Sequence, residues 1–355
     1  MSIKHRLKGA AREVFARIVW HTGLHRALDA VGAPRLLILY GHCVDQPATN
    51  AALRADMKIT GARLESILRA LGGRYDMVTV GEGGARLKDG AQKRTARSMV
   101  ALSMDDGYRD NLHDLVPLLA RVDARATVFL EGGAVVERRL PWLHALDWLQ
   151  AELGAKELAG RLAERLPAQA ESLRAAGGSE NRQKRILKYD VDPGERARVL
   201  DELTAASGGA PRSIVDSLYL SEDEARELSA ADRIEIGGHT VNHPVLSCLD
   251  EAAQLAEIDG GAKALEAFFG HGAGGVTFAY PYGRRWDYDD ASARSAEAAG
   301  YRFAVTTHAG VNRATTDPYR LRRWPINDGT RLHLVGTEAC GAFDWLRRLG
   351  IDLVE

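Results

Sequence analysis

Two adjacent carboxylates are the first residues in this chain that could do chemistry. Ser103-Met104-Asp105-Asp106-Gly107-Tyr108 closes a run that reads as a strand. At a strand-to-loop turn both side chains can face one cavity, where like charges repel unless a cation keeps one of them ionised. One aspartate on a metal ion, with its neighbour left free as a base, resolves that conflict. An Asp-Asp-Gly surface turn is the plainer alternative. A second cluster, His239-Thr240-Val241-Asn242-His243, follows Glu235-Ile236-Gly237-Gly238. Imidazoles four residues apart share one face of a helical turn and can reach one ion. About 0.3 such pairs arise by chance at this histidine content, so the spacing alone says little. His21 and His25 form another such pair, in a basic tract without a carboxylate motif, and read as structural. The Gly-Gly before His239 distinguishes the second cluster, because it lets backbone approach a site closely. A third feature, Phe278-Ala279-Tyr280-Pro281-Tyr282-Gly283, ends a strand in a turn. Such a turn can aim a backbone N–H at developing negative charge, or simply hold a packed aromatic.

The elements that must position these residues follow an alternating pattern. Strands are expected at 36–40, 75–80, 98–104, 127–130, 233–237, 276–280 and 303–307. Helical periodicity marks 59–71, 112–121, 250–269 and 289–299. Ser221-Glu222-Asp223-Glu224 is a capping box opening a helix to about Ala231. This is an α/β pattern with parallel strands, and the number of strands favours a distorted (β/α)7-type barrel. The alternation stops between about 138 and 220, where 141–166 and 194–206 are helical and 175–184 reads as loop. That stretch is expected to be a helical insertion without a core of its own. The chain therefore divides into an N-terminal segment, 1–35, and a barrel, 36–355, carrying the insertion.

Composition removes several classes of function. The 47 Lys and Arg balance 48 Asp and Glu, for a net charge of −1. A nucleic-acid groove needs a basic excess, so no nucleic-acid partner is expected. Hydrophobic content of 45% and charged content of 27% are those of an ordinary globular chain. Cys43, Cys248 and Cys340 are too few and scattered for a disulfide scaffold. No run approaches the ~20 apolar residues of a spanning helix. Arg12, Glu13 and Arg17 interrupt any secretory apolar core, which points to a cytoplasmic protein. In residues 1–35, Ile3, Leu7, Ala10, Val14 and Ile18 recur at helical spacing. Seven Lys and Arg there against two acids leave a local charge of about +5. A basic amphipathic helix of this kind can lie on the inner membrane face, or pack on the body with its basic face solvated.

Taken in order, the three motifs resemble those of the polysaccharide deacetylases, the NodB-homology group of carbohydrate esterase family four. The likeness runs from about 98 to 326, interrupted by the insertion. It implies a metal-dependent hydrolase that removes the N-acetyl group from an amino sugar of a surface glycan or its precursor, of the lipopolysaccharide, O-antigen or capsule type. On that resemblance Asp105 is the base, and Asp106, His239 and His243 hold a divalent metal, usually zinc. Tyr282 would offer its backbone N–H to the oxyanion.

Two departures from the family pattern matter. Many members place an arginine three residues before the proline of the third motif, to orient the base; here Phe278 stands there. Arg323 is a candidate substitute, with Arg320 and Arg322 as alternatives. The C-terminal motif that supplies the general acid is also missing. A circularly permuted branch of the family instead begins with a strand ending in Tyr-His, which Leu39-Tyr40-Gly41-His42 resembles with one glycine inserted. His42 is therefore favoured as the acid over His333 or His308. A nucleophilic pair of His42 with Cys43 is disfavoured, because neighbours on a strand point to opposite faces. Tyr108, Trp286, Tyr288 and Trp324 could stack on sugar faces. Pro281 is grouped with them on the substrate side. The same ligand types also describe the non-haem iron triad, whose sites have no use for the second aspartate. A hydrolase of non-sugar amides and a degenerate glycan-binding protein are the remaining alternatives.

Overall fold

The computed structural model describes residues 3–46, 50, 53–89, 97–270 and 275–353. The two longest strands, β1 (Leu36–Gly41) and β5 (Met99–Met104), are apolar and buried almost throughout. That is the mark of parallel strands covered on both faces. The others are β2 (Cys43–Val44), β3 (Lys58–Ile59), β4 (Asp76–Val78), β6 (Ala126–Leu130), β7 (Ile234–Gly238), β8 (Thr277–Ala279), β9 (Phe303–Val305) and β10 (Trp324–Pro325).

The main sheet runs β10-β1-β5-β6-β7-β8-β9, all parallel, with β4 against the first half of β5. A parallel bridge from Val305 to Leu321 and the pairing of Trp324 with Leu39 carry segment 321–325 between β9 and β1. The sheet thereby curls into the distorted barrel that the alternating pattern predicts. Inside it, Glu235 accepts hydrogen bonds from Thr79, Thr127 and Thr277 (2.7, 3.0 and 3.0 Å), which satisfies a carboxylate midway along a strand.

Three local expectations change. The strand expected to 80 ends at Val78, and a helix, Val80–Asp89, follows. Its glycines hide it from a propensity reading, but they let it close on the sheet. A Cβ on Gly83 would come within 2.8 Å of Leu36, and one on Gly84 within 2.7 Å of Phe303. Residues 180–184, read as loop, begin the helix Glu180–Tyr189. Gln183 is wholly buried there, with its amide shared between the Gly177 carbonyl at 2.7 Å and Gln150 at 3.0 Å. A polar residue that satisfies internal carbonyls looks like a loop residue in sequence.

The insertion also has a core of its own. Leu146, Leu149, Leu158, Leu162, Leu173, Val199 and Leu200 form one cluster at 0% exposure. The helices Trp142–Leu153, Ala155–Arg165, Ala170–Ala176 and Pro193–Ala206 cover one another's stripes rather than waiting for the barrel. At the N-terminus, helix Ile3–His21 buries Ala16 and Val19 beside the helix Leu332–Ala339 and Cys340. Part of the basic balance of this segment turns inward. Arg35 is buried, bound to Asp29 at 2.6 Å and to the Ala339 carbonyl at 2.8 Å.

Candidate active site

The C-terminal ends of the strands bring the motif residues to one mouth: His42 after β1, Asp105 and Asp106 after β5, Glu131 after β6, His239 after β7 and Pro281-Tyr282 after β8. Asp106, His239 and His243 converge there as a possible ligand set. Asp106 Oδ1 lies 3.4 Å from His239 Nε2 and 3.7 Å from His243 Nε2, and the two Nε2 atoms are 3.1 Å apart. A tetrahedral ion with bonds of about 2.0–2.1 Å separates its donors by about 3.3 Å, so these three atoms fit a divalent cation. His239 Nδ1 is hydrogen-bonded to the Ala279 carbonyl at 2.7 Å, which directs Nε2 to the ion position.

Local backbone and electrostatics suit that task. Asp106, Thr240, His243 and Tyr282 hold φ of 77°, 64°, 51° and 61°, a region that non-glycine residues enter at a cost. The Thr240 hydroxyl accepts from the His243 N–H at 3.1 Å, bending the segment so that both rings meet. Burial would raise the Asp106 carboxyl, but the hydrogen bond from His239 and the surrounding imidazoles hold it far below its usual range. Burial, reinforced by His239, pushes His243 down to about 3, leaving the neutral ring that a metal ligand requires.

Asp105 occupies a different environment from its neighbour. Both of its oxygens are bound by Arg323, at 2.7 and 2.9 Å, in a bidentate pair. Arg323 is fully buried, donates to the Thr306 carbonyl at 2.9 Å, and lies over the Tyr40 ring at 4.5 Å. Burial works to raise the Asp105 carboxyl, but the charge of Arg323 and of His239 and the hydrogen bonds from Arg323 together hold it below its usual range, so the group stays ionised. Phe278 is buried in an aromatic cluster with Tyr280 and Tyr301. The guanidinium thus arrives from a different strand than in many family members. Arg320 reaches Asp317 and Asp290 instead, while the Arg322 backbone N–H bonds Asn312.

Of the three candidate acids, His42 is the one whose charge bears on both aspartates. Its carbonyl is held by Asn111 at 3.1 Å and its ring meets Tyr40 edge-on at 6.3 Å. His333 lies 2.8 Å from Glu13 on the N-terminal helix, and His308 meets Tyr288 edge-on. Cys43 is fully buried, and burial with Asp110 beside it keeps the thiol protonated, which removes it as a nucleophile.

Tyr282 sits with its ring 4.6 Å from His243. Its backbone N–H makes no hydrogen bond to another described residue. The turn is pinned by Gly283 N–H to Pro281 at 2.7 Å and by the Thr307 hydroxyl to the Tyr282 carbonyl at 2.9 Å. Pro281 is buried, so it shapes this turn instead of presenting a surface.

Two expected sugar platforms are corrected. Tyr108 is 1% exposed, stacked on Tyr219 and bonded to His144 at 2.9 Å. Trp324 is 5% exposed and stacked on Phe343. Neither leaves a ring face for a ligand. Tyr288 stacks on Tyr280. Trp286 is half exposed, with its indole N–H donating to the Tyr189 hydroxyl at 3.1 Å. The sequence reading also misses residues that the insertion brings in. The Trp142 indole donates to the Tyr282 hydroxyl at 3.0 Å, and Lys188 lies 3.4 Å over the Tyr282 ring while paired with Asp287 at 2.9 Å. Glu131 is missed as well, although its position directly after a strand was a usable signal.

The fold and site together define a parallel (β/α) barrel with an Asp-His-His set and a guanidinium-bound aspartate at its C-terminal mouth. Residues 92–304 match the sequence model of the polysaccharide deacetylase family, and the chain belongs to that family. A curated relative, the putative polysaccharide deacetylase YxkH of Bacillus subtilis (strain 168), is 29% identical over 118 residues. That match covers 33% of this chain and 40% of the relative's own length. Among solved structures, the Streptococcus pyogenes deacetylase PplD, in complex with acetate, aligns with a TM-score of 0.56 at 17% identity, covering 87% of this chain and 99% of that one. A de-N-acetylase from Aggregatibacter actinomycetemcomitans aligns at 0.55 with 14% identity, covering 85% and 98%. IcaB from Ammonifex degensii aligns at 0.54 with 16% identity, covering 87% and 98%. At these identities the likeness shows a shared fold.

Proposed function

We propose that this protein hydrolyses the N-acetyl group of an amino sugar in a surface glycan or its precursor, using a divalent metal that the nitrogen-rich ligand set suits to be zinc. The observation that carries the reading is the division of labour between neighbouring carboxylates. Asp106 faces two imidazoles, and Asp105 is held ionised by Arg323 with no role in the ligand set.

When bound, the ion would polarise the acyl oxygen and ease deprotonation of water. Asp105 takes the proton of the attacking water, and Arg323 fixes the orientation of its carboxylate. The free N–H of Tyr282 stabilises the oxyanion as the amide carbon becomes tetrahedral. His42 gives a proton to the departing sugar amine, which is a poor leaving group until protonated. Acetate and a free amino sugar result. A degenerate glycan-binding site was suggested by Phe278; the guanidinium that Arg323 brings from another strand favours an active enzyme instead. Acetate release from N-acetylated oligosaccharides tests the proposal: chelator should abolish it and zinc restore it, and turnover indifferent to chelator would refute the metal-dependent reading.

We further propose a peripheral contact with an anionic membrane through the N-terminal segment. No helix among the described residues is long and apolar enough to cross a membrane. Leu7, Val14 and Ile18 nevertheless form an outward stripe on helix Ile3–His21 at 66%, 58% and 55% exposure, opposite its docked face. An apolar stripe on a helix that also carries Lys8 and Arg17 fits a surface of acidic lipid. Co-sedimentation with phosphatidylglycerol vesicles should be lost in a Leu7→Ser/Val14→Ser/Ile18→Ser variant, and equal pelleting of variant and parent would sink the idea.

A further inference from the structure

Between the insertion and the barrel lies a crevice of about 280 Å³, lined among others by Glu131, Trp142, Arg196, Asp201, Asn242 and Glu257. It adjoins the metal centre: Asn242 precedes the ligand His243, and Trp142 holds the hydroxyl of Tyr282.

Arg196 is the feature that needs explaining. It is 2% exposed, lies 4.2 Å over the Trp142 ring, and donates from Nη1 to the Leu187 carbonyl at 3.1 Å. Its Nε has no partner, and no carboxylate forms an ion pair with it among the described residues. Asp192 and Glu257 bear on its charge from beyond ion-pair distance. Asp192 caps its own helix through the Glu195 N–H, and Glu257 accepts from the N–H groups of Val241 and Asn242 and from the Asn242 amide. The Glu131 side chain is 4% exposed and makes no hydrogen bond to another described residue. Burial, with the negative charge of Asp106 beside it, pushes its carboxyl well above the usual range. A buried guanidinium left without an anion is expensive, and such groups are ordinarily paired.

We propose that the crevice is a subsite for an anionic group, carboxylate or phosphate, on the sugar next to the one whose acetamido group enters the metal centre. Arg196 binds the anion from the insertion side. Its volume suits a single sugar ring. The inference rests on the deacetylase reading for the reacting sugar, but not for the binding of the anion.

Calorimetric titration of the full chain with D-glucuronate, glucose 6-phosphate and uncharged glucose tests it without any turnover. At least one anionic sugar should bind ten-fold or more tighter than glucose, and which one does so separates carboxylate from phosphate. Arg196→Gln should erase the difference. Arg196→Lys, which keeps the charge, should retain part of it and guards against a misfolded glutamine variant. Equal binding of charged and neutral sugars, or a preference that survives Arg196→Gln, overturns the subsite. Because acetate release is not the readout, an inactive but anion-selective protein would refute the deacetylase reading alone.

Discussion

The barrel mouth and the insertion that borders it are built on opposite principles. At the mouth, the aspartate and the two histidines are held in place by partners: Asp105 has Arg323 on both oxygens, His239 has the Ala279 carbonyl, and His243 has the Thr240 hydroxyl on its backbone. In the insertion the apolar core is complete, yet Arg196 faces the crevice with Nε unpartnered. A rigid scaffold that fixes side chains in this way can be aimed at one reaction. A separately cored cover with unsatisfied polar groups is where recognition of a substrate can be varied without disturbing the chemistry.

The largest break of that comparison is at the base. Asp105→Asn should lower acetate release by about 10²–10⁴-fold, the usual worth of a general base. Zinc content, measured by atomic emission, should stay at the parental level; loss of metal would show that the two aspartates have exchanged roles. Arg323→Gln comes next, because it leaves a buried carboxylate unpaired at a cost of about 3–5 kcal/mol in stability. A sign follows for pH. A base at Asp105 works only when ionised, so under the proposed function activity falls as pH drops through its pKa, which Arg323 helps to hold down. Without Arg323 the acid limb of the rate profile should move to higher pH; an unmoved limb would disconnect the pair from catalysis. The smallest effect on chemistry belongs to the insertion. Leu200→Ala, at a position with 0% exposure in the insertion's own cluster, should cost about 2–5 kcal/mol of unfolding stability by denaturant titration. Zinc binding should nonetheless remain parental below the transition, and coupled loss of metal would show that the two regions are a single packing unit.

The fold was legible where strands announce themselves. Residues 36–40, 98–104 and 127–130 are apolar runs, and each is a buried strand. The capping box at Ser221 forms as its spacing requires, with both reciprocal bonds. The helix Val80–Asp89 was not legible, because glycines chosen for close approach carry no helical propensity. Burial of Tyr108 and Trp324 was equally hidden, since an aromatic beside a motif looks the same whether it faces a ligand or a core.

Short-range pattern determined the paired aspartates, the histidines four apart and the turn after Tyr280, because each depends on neighbours within a few residues along the chain. Only the closed sheet decided that Arg323 meets Asp105, 218 positions away, and that Trp142 and Lys188 reach Tyr282. Such meetings depend on how strands order themselves and where helices find cover, and no local spacing encodes either.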